Sequence, residues 1–129
     1  MRTLYQFPLS HFCEKARWML DHKELNYVAH NLIPGVHRAF ARLKTGQNRL
    51  PILRDQDRWI ADSTQIALYL DDTYPEHRLL HAEGYFRNKA LEINEITLEL
   101  GRHARRWMLS QALTSDHESL DILIGEQGY

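Results

Sequence analysis

Strand-like and helix-like segments alternate along the first eighty residues, and this order constrains the fold more than any other feature of the sequence. Strand-forming residues 2–7 end at Pro8, and helical spacing of apolar residues begins at Ser10. The predicted strands and helices then continue over residues 26–32, 36–44, 50–53, 59–61 and 62–70. The order β-α-β-α-β-β-α predicts an α/β fold, in which helices pack on the faces of a mixed four-stranded sheet.

A long amphipathic helix is predicted after a linker that contains Pro75. Over residues 84–112, apolar or small residues recur at steps of three and four: Phe86, Ala90, Ile93, Thr97, Leu100, Ala104 and Trp107. A further helix could begin within Asp116–Ile124. This region would be an incomplete all-α domain over 81–129, following an α/β domain over 1–80. Its apolar side would lack part of its cover, so we expect a homodimer or a fragment of a longer protein.

Composition excludes several classes of protein. The 129 residues carry a net charge of -1, which does not suggest a nucleic-acid binder, although a basic group surrounds Trp107. The longest apolar runs are far below the ~18 residues of a membrane span, and the N-terminus lacks the features of a signal peptide. The single cysteine, Cys13, excludes an internal disulfide and fits a reducing compartment. A cytoplasmic protein without a membrane partner is therefore expected.

Histidine is frequent, but its pattern does not indicate a metal site. Of the eight histidines, His77 and His81 are four residues apart, and "HRLLH" lacks the glutamate of a zinc-protease motif. We therefore expect no bound metal.

Four motifs in this order resemble one known family. They are "LYQFPLSHFCEKARWML" at residues 4–20, Leu50-Pro51 before a short strand, "ADSTQIALYL" at 61–70, and the long helix that follows. Together they are similar to the soluble glutathione transferases, with a thioredoxin-like N-terminal domain and the start of a helical C-terminal domain. The resemblance implies a detoxifying enzyme that conjugates the thiolate of glutathione to an electrophilic small molecule, whose identity the sequence does not give.

The resemblance also implies a set of glutathione contacts. The Leu50-Pro51 peptide bond would be cis, and the Leu50 backbone would pair with the cysteinyl part of glutathione like an added strand. Ser63 would bind the γ-glutamyl carboxylate and Asp62 would help to hold the amine, although either residue could simply cap a helix. Arg49 would face the glycyl carboxylate or remain solvated.

Ser10 and Cys13 are the candidate catalytic residues. The thiolate of glutathione, not the thiol, is the nucleophile, and a hydroxyl donor at a helix N-terminus would stabilise it. Ser10 lies at the predicted strand-to-helix junction and is also suited to cap that helix with its side chain. Cys13 lies one turn further on, where it would either pack in the core or form a mixed disulfide with glutathione. Tyr5 is expected to be structural.

Three functions therefore remain open at the level of sequence. The first is glutathione conjugation through Ser10. The second is a glutathione-dependent thiol oxidoreductase that uses Cys13. The third is a non-catalytic module that binds glutathione or mediates dimerisation.

Overall fold

A computed structural model describes residues 1–114 and confirms the predicted order of strands and helices. The elements are listed here in chain order: β1 (Arg2–Gln6), α1 (His11–His22), β2 (Tyr27–Asn31), α2 (Val36–Thr45), β3 (Ile52–Asp55), β4 (Arg58–Ala61), α3 (Ser63–Thr73) and α4 (Tyr85–Thr114). The chain divides into two compact units, of which the first is Met1–Leu79 and the second begins at Leu80. The further helix predicted within Asp116–Ile124 lies outside the described residues.

The first unit contains a mixed four-stranded sheet with the strand order β2-β1-β3-β4. β1 is parallel to β2, and α1 connects these two strands. On its other side β1 is antiparallel to β3, and β3 and β4 form an antiparallel hairpin. The hairpin turn is shorter than the sequence suggested. Asp55 and Arg58 are paired in the ladder, so only Gln56 and Asp57 form the turn, and Gln56 adopts a positive φ of 55°.

Helices cover both faces of the sheet. α1 and α3 pack over Leu4 and Leu53 on one face, where Leu20, Ile66 and Leu70 are also fully buried. On the other face Ala41 of α2 packs with Ile52 and Ala61. Because neighbouring strand residues point to opposite faces, Leu4 and Tyr5 belong to different clusters. The ring of Tyr5 lies 4.7 Å from that of Phe40, which fits the structural role predicted for this tyrosine.

A buried lysine fixes the segment that follows α3. The Lys23 side chain is fully buried, and its Nζ lies 2.7 Å from Asp71 Oδ1. The same ammonium group donates hydrogen bonds to the carbonyl oxygens of Tyr74, at 2.7 Å, and Glu76, at 3.0 Å. Asp71 also accepts a hydrogen bond from the Leu79 N–H at 2.9 Å. Lys23 and Asp71 thus tie the end of α1 to the last residues of the first unit.

The second unit is described here through its long helix. α4 runs over Tyr85–Thr114, close to the predicted span of 84–112. Gly84 precedes it with a φ of 85°, a conformation that favours glycine, and its carbonyl accepts a hydrogen bond from the Asn88 N–H at 3.2 Å. No helix of residues 1–114 is both long and apolar enough to cross a membrane.

Candidate functional site at one edge of the sheet

Strand pairing brings the predicted site residues to one edge of the sheet. Tyr5, near the end of β1, is paired with Ile52 at the start of β3, and Ile52 is paired with Ala61 at the end of β4. The segments next to these positions therefore leave the sheet at the same edge. They are residues 7–10 after β1, residues 49–51 before β3, and residues 62–63 after β4.

A backbone hydrogen bond joins two of these segments directly. The Asp62 N–H donates to the carbonyl oxygen of Pro51 over 3.3 Å. The Leu50-Pro51 peptide bond is cis, as the resemblance implied. Pro51 is fully buried, whereas Leu50 is half-buried. The cis-proline segment and the start of α3 therefore form one surface.

Ser10 occupies the N-cap position of α1, but its side chain does not act as a cap. Its backbone is extended, with φ -78° and ψ 118°, and its carbonyl accepts a hydrogen bond from the Glu14 N–H at 2.8 Å. The expected bond from the serine hydroxyl to a first-turn N–H is not formed, so that prediction was wrong. The backbone alone holds Ser10 at this position, because its own N–H donates to the Phe7 carbonyl at 3.2 Å. The hydroxyl is therefore not used in capping.

Cys13 lies one turn inside α1 and has no exposed surface. Its sulfur accepts a hydrogen bond from the Phe7 N–H at 3.5 Å, so it also ties the start of the helix to the segment after β1. A buried cysteine of this kind usually behaves as a small apolar residue.

Asp62 and Ser63 begin α3 with separate roles. Asp62 is the N-cap, and its Oδ1 accepts hydrogen bonds from the N–H groups of Thr64, at 2.8 Å, and Gln65, at 3.3 Å. Ser63 is the first helical residue and only 2% exposed. The sequence did not decide whether Asp62 or Ser63 caps this helix, and the structure shows that Asp62 does. Asp62 has a positive φ of 77°.

Replacing Asp62 with alanine is expected to lower the free energy of unfolding by about 1–2 kcal/mol, because both capping bonds are lost. Alanine also tolerates the positive φ poorly. Asp62→Asn is the matched control, since asparagine keeps a capping oxygen and accepts this backbone conformation more readily. Urea unfolding measures the difference, and equal losses for the two variants would contradict the capping role.

Arg49 lies beside the cis-proline segment with its side chain exposed to solvent. Within residues 1–114 it forms no ion pair. Its guanidinium group is therefore available to an anionic ligand, but nothing within the described part of the chain fixes its direction.

Two residues that support the site were not identified from the sequence. Arg17 donates to the side-chain oxygen of Gln6 and, over 2.9 Å, to the carbonyl of Pro8, and it pairs with Glu14. Gln6 is 5% exposed and donates in turn to Asn31 Oδ1 at 3.0 Å. These contacts hold the segment before Ser10. The spacing of Glu14 and Arg17 was the available signal, but it also occurs on ordinary solvated helices.

A cluster of titratable side chains lies at the opposite edge of the sheet. Asp55 is 3% exposed and accepts hydrogen bonds from Arg2, at 3.3 Å, Tyr69, at 3.2 Å, and Tyr74, at 2.5 Å. Burial, reinforced by the Asp55 carboxylate, raises the pKa of Tyr69. Burial alone would lower the pKa of Arg2, but Tyr74 and Asp55 outweigh this effect and raise it. Arg2 and Asp55 are paired at the opposite end of β1 and β3 from Tyr5 and Ile52. This cluster is therefore structural and separate from the candidate site.

Within residues 1–114, no group of three or more histidine, cysteine, aspartate or glutamate residues is arranged to hold a metal ion.

The parallel β1–β2 pair, the antiparallel β3–β4 hairpin and the buried cis-proline beside α3 define a thioredoxin-like domain. A family model described as the N-terminal domain of glutathione S-transferase matches residues 4–78. The chain therefore belongs to the glutathione S-transferase family.

Solved structures agree with this assignment. A glutathione S-transferase from Rhodospirillum rubrum F11 is 30% identical over 65% of this chain and 39% of its own, with a TM-score of 0.59. A glutathione transferase homologue from Burkholderia gl BGR1, with bound glutathione, is 26% identical over 86% of this chain and 65% of its own, with a TM-score of 0.67.

A more distant structure supports the fold alone. A glutathione S-transferase from the Antarctic clam Laternula elliptica is 19% identical over 88% of this chain and 53% of its own, with a TM-score of 0.69. The chain thus spans between 39% and 65% of the length of these three proteins.

Proposed function

We propose that this chain binds glutathione at the edge of the sheet described above and transfers its thiolate to an electrophilic small molecule. The observation that carries the proposal is the convergence of three segments. Three segments lie next to the strand ends at this edge: residues 7–10 after β1, the cis Leu50-Pro51 segment before β3, and residues 62–63 at the start of α3. The glutathione bound to the similar Burkholderia protein supports the choice of ligand.

The three segments suit different parts of the tripeptide. The half-buried Leu50 backbone would pair with the cysteinyl part as an added strand. At the start of α3, Ser63 would bind the γ-glutamyl carboxylate, where helix N–H groups favour an anion. Asp62 would contact the γ-glutamyl amine with Oδ2, since Oδ1 is used in capping. Arg49, which is exposed beside the cis-proline, would face the glycyl carboxylate.

Ser10 would stabilise the glutathione thiolate. A free thiol has a pKa near ~8.5, so lowering it by two units requires about 2.7 kcal/mol of differential stabilisation. The serine hydroxyl can donate a hydrogen bond to the sulfur because it does not cap α1. The N–H groups of the first turn and the dipole of the 12-residue helix would add to this effect.

The burial of Cys13 favours packing over a nucleophilic role. Reactive cysteines are partially exposed, because both the attacking and the attacked sulfur must be reached. Cys13 has no exposed surface, so a mixed disulfide with glutathione would require α1 to move. Glutathione-dependent reduction through Cys13 is accordingly the weaker proposal.

Replacing Cys13 with alanine is expected to leave conjugation within about twofold of the wild type, because alanine fills most of the same buried space. The assay follows glutathione and a chlorodinitrobenzene, in which a C–S bond forms and chloride leaves with the electrons of the C–Cl bond. Glutathione binding is measured in parallel by calorimetry.

A second assay is needed to separate the three functions, and it follows the reduction of a small disulfide by two glutathione molecules, which are oxidised to glutathione disulfide. Reduction that is lost in Cys13→Ala, with folding retained by circular dichroism, would indicate the oxidoreductase. Glutathione binding without turnover of the wild type in either assay would indicate a non-catalytic module.

We further propose that the protein is a cytoplasmic homodimer. The exposed apolar side of α4 supports association, because apolar patches of that kind are usually covered in the working assembly. Equilibrium sedimentation of the 129-residue chain measures the assembly state.

A further inference from the structure

The solvent-facing side of α2 carries a row of apolar side chains. The helix buries His37 and Ala41 on its inner side. Its opposite side carries Val36, Ala39 and Leu43, which follow one another at steps of three and four. Val36 is 63% exposed and Leu43 is 80% exposed. We refer to Val36, Ala39 and Leu43 as the α2 ridge.

Basic side chains flank the α2 ridge on both sides. At about 100° per residue, Arg38 and Arg42 lie along one flank of the ridge and Lys44 lies on the other. All three side chains are exposed, and none of them forms an ion pair within residues 1–114. The outer side of α2 is therefore both apolar and positively charged.

The chain around α2 contains no acidic residue to balance this charge. Residues 26–54 carry five basic residues and no aspartate or glutamate, whereas the rest of the chain carries 11 basic and 17 acidic residues. The net charge of -1 thus divides into +5 for this segment and -6 for the remainder. Charge asymmetry of this kind favours an anionic partner at the positive segment.

We propose that this side of α2 binds the anionic headgroups of a lipid bilayer, with the α2 ridge in the interfacial layer and Arg38, Arg42 and Lys44 on lipid phosphates. Long basic side chains can extend from an apolar contact to charged headgroups, as they do in helices that lie in a membrane surface. The expectation of no membrane partner rested on the lack of a spanning segment, which such a contact does not need. Anionic lipids face the cytoplasm, so the contact agrees with the location proposed above.

The combination of ridge and flanks favours lipid over other anionic partners. A nucleic acid would use the basic residues but leave the ridge in water, and the nearby rings that could stack on bases, Phe40 and Trp59, are half-buried. A second α2 helix would bring like charges together, because the helix has no acidic residue. An anionic bilayer accounts for both the apolar and the basic side chains. The inference goes beyond glutathione transfer and does not depend on it.

Vesicle sedimentation with the full-length protein tests the charge requirement. We expect binding to vesicles of equal parts phosphatidylserine and phosphatidylcholine, and much weaker binding to phosphatidylcholine alone or in high salt. Each basic residue at an anionic surface contributes about fivefold in affinity, so Arg38→Gln combined with Arg42→Gln should bind about 25-fold more weakly. The matched control is Arg102→Gln combined with Arg105→Gln, which removes the same charge from exposed positions of α4 and should weaken binding far less.

A fluorescent label tests whether the ridge enters the interface. Leu43→Cys is labelled with an environment-sensitive dye, and the native Cys13 does not react because it is buried. On the phosphatidylserine vesicles the emission should shift to shorter wavelength, because the label moves into an apolar layer. The same label on Leu109→Cys, a 43% exposed position of α4, is the control and should not shift. Bound protein in which the Leu43 label does not shift would overturn the proposal.

Two further results would also overturn it. One is a wild type that does not bind the phosphatidylserine vesicles, and binding of a single-stranded oligonucleotide in their place would identify a nucleic-acid surface instead. The other is equal weakening of vesicle binding by the two double variants. Glutathione binding is measured on the same samples, so that the two proposals fail separately. Protein that binds glutathione but not vesicles refutes the lipid contact alone, and protein that binds vesicles but not glutathione refutes the transferase proposal alone.

Discussion

Replacing Lys23 with methionine is expected to lower the free energy of unfolding by about 3–5 kcal/mol, the usual cost of removing one member of a buried ion pair. The variant leaves the Asp71 carboxylate, which is 4% exposed, without its ammonium partner at 2.7 Å. It also removes the donor to the carbonyls of Tyr74 and Glu76. Unsatisfied buried acceptors add to the cost, so this is the largest stability effect that we expect from a single substitution.

Urea unfolding of the single and double variants separates the charge from the packing. Lys23→Met combined with Asp71→Leu removes both charges and should recover part of the loss, because replacing a whole buried pair by apolar residues is often close to neutral. Full recovery is not expected, since the two carbonyls remain without their donor. A single variant that unfolds within about 0.5 kcal/mol of the wild type would contradict the anchoring role of Lys23.

Replacing Ser10 with alanine is expected to lower kcat/KM for conjugation by about 5- to 50-fold near pH 6.5. A bound thiol with a pKa of about 6.5 is roughly half ionised at this pH. A loss of one pKa unit would leave about a tenth of it as thiolate, and a loss of both units about a hundredth. The N–H groups of α1 remain in the variant, so part of the stabilisation should persist. Ser10→Thr keeps a hydroxyl at the same position and is the matched control.

The pH dependence of the rate distinguishes thiolate stabilisation from a general loss of binding. If Ser10 lowers the thiol pKa, the deficit of Ser10→Ala should shrink as the pH rises towards ~8.5, where free glutathione thiol itself ionises. A deficit that stays constant from pH 6 to 9 would indicate lost binding instead. Activity equal to that of the wild type across this range would refute the catalytic assignment.

The general architecture could be predicted from the sequence because it depends on local patterns. The change from strand to helix spacing after Pro8 locates α1, and the turn signals at Gly46 and around Asp57 separate the later elements. Strand order, in turn, brings Ser10, Leu50 and Asp62 to one edge. The predicted boundaries of the hairpin strands were less accurate, because the polar residues Asp55 and Arg58 belong to the paired strands and not to the loop between them.

The contacts that support the site could not be predicted, because they join residues through the fold. Nothing near Arg17 in the sequence shows that it binds the Pro8 carbonyl and Gln6. Likewise, Lys23 reads as one of several surface lysines, yet its partner Asp71 lies 48 positions further along the chain. The role of Ser10 was misjudged in one respect, because a serine at a helix start usually caps that helix with its side chain.

The most direct test of the central proposal is the pKa of glutathione bound to the protein, measured from the ultraviolet absorbance of its thiolate as the pH is raised. With wild-type protein, we expect a pKa near ~6.5, about two units below that of free glutathione thiol. With Ser10→Ala, the value should rise by at least one unit while glutathione still binds. If the bound thiol has the same pKa in both proteins, Ser10 does not stabilise the thiolate, and the proposed mechanism is wrong.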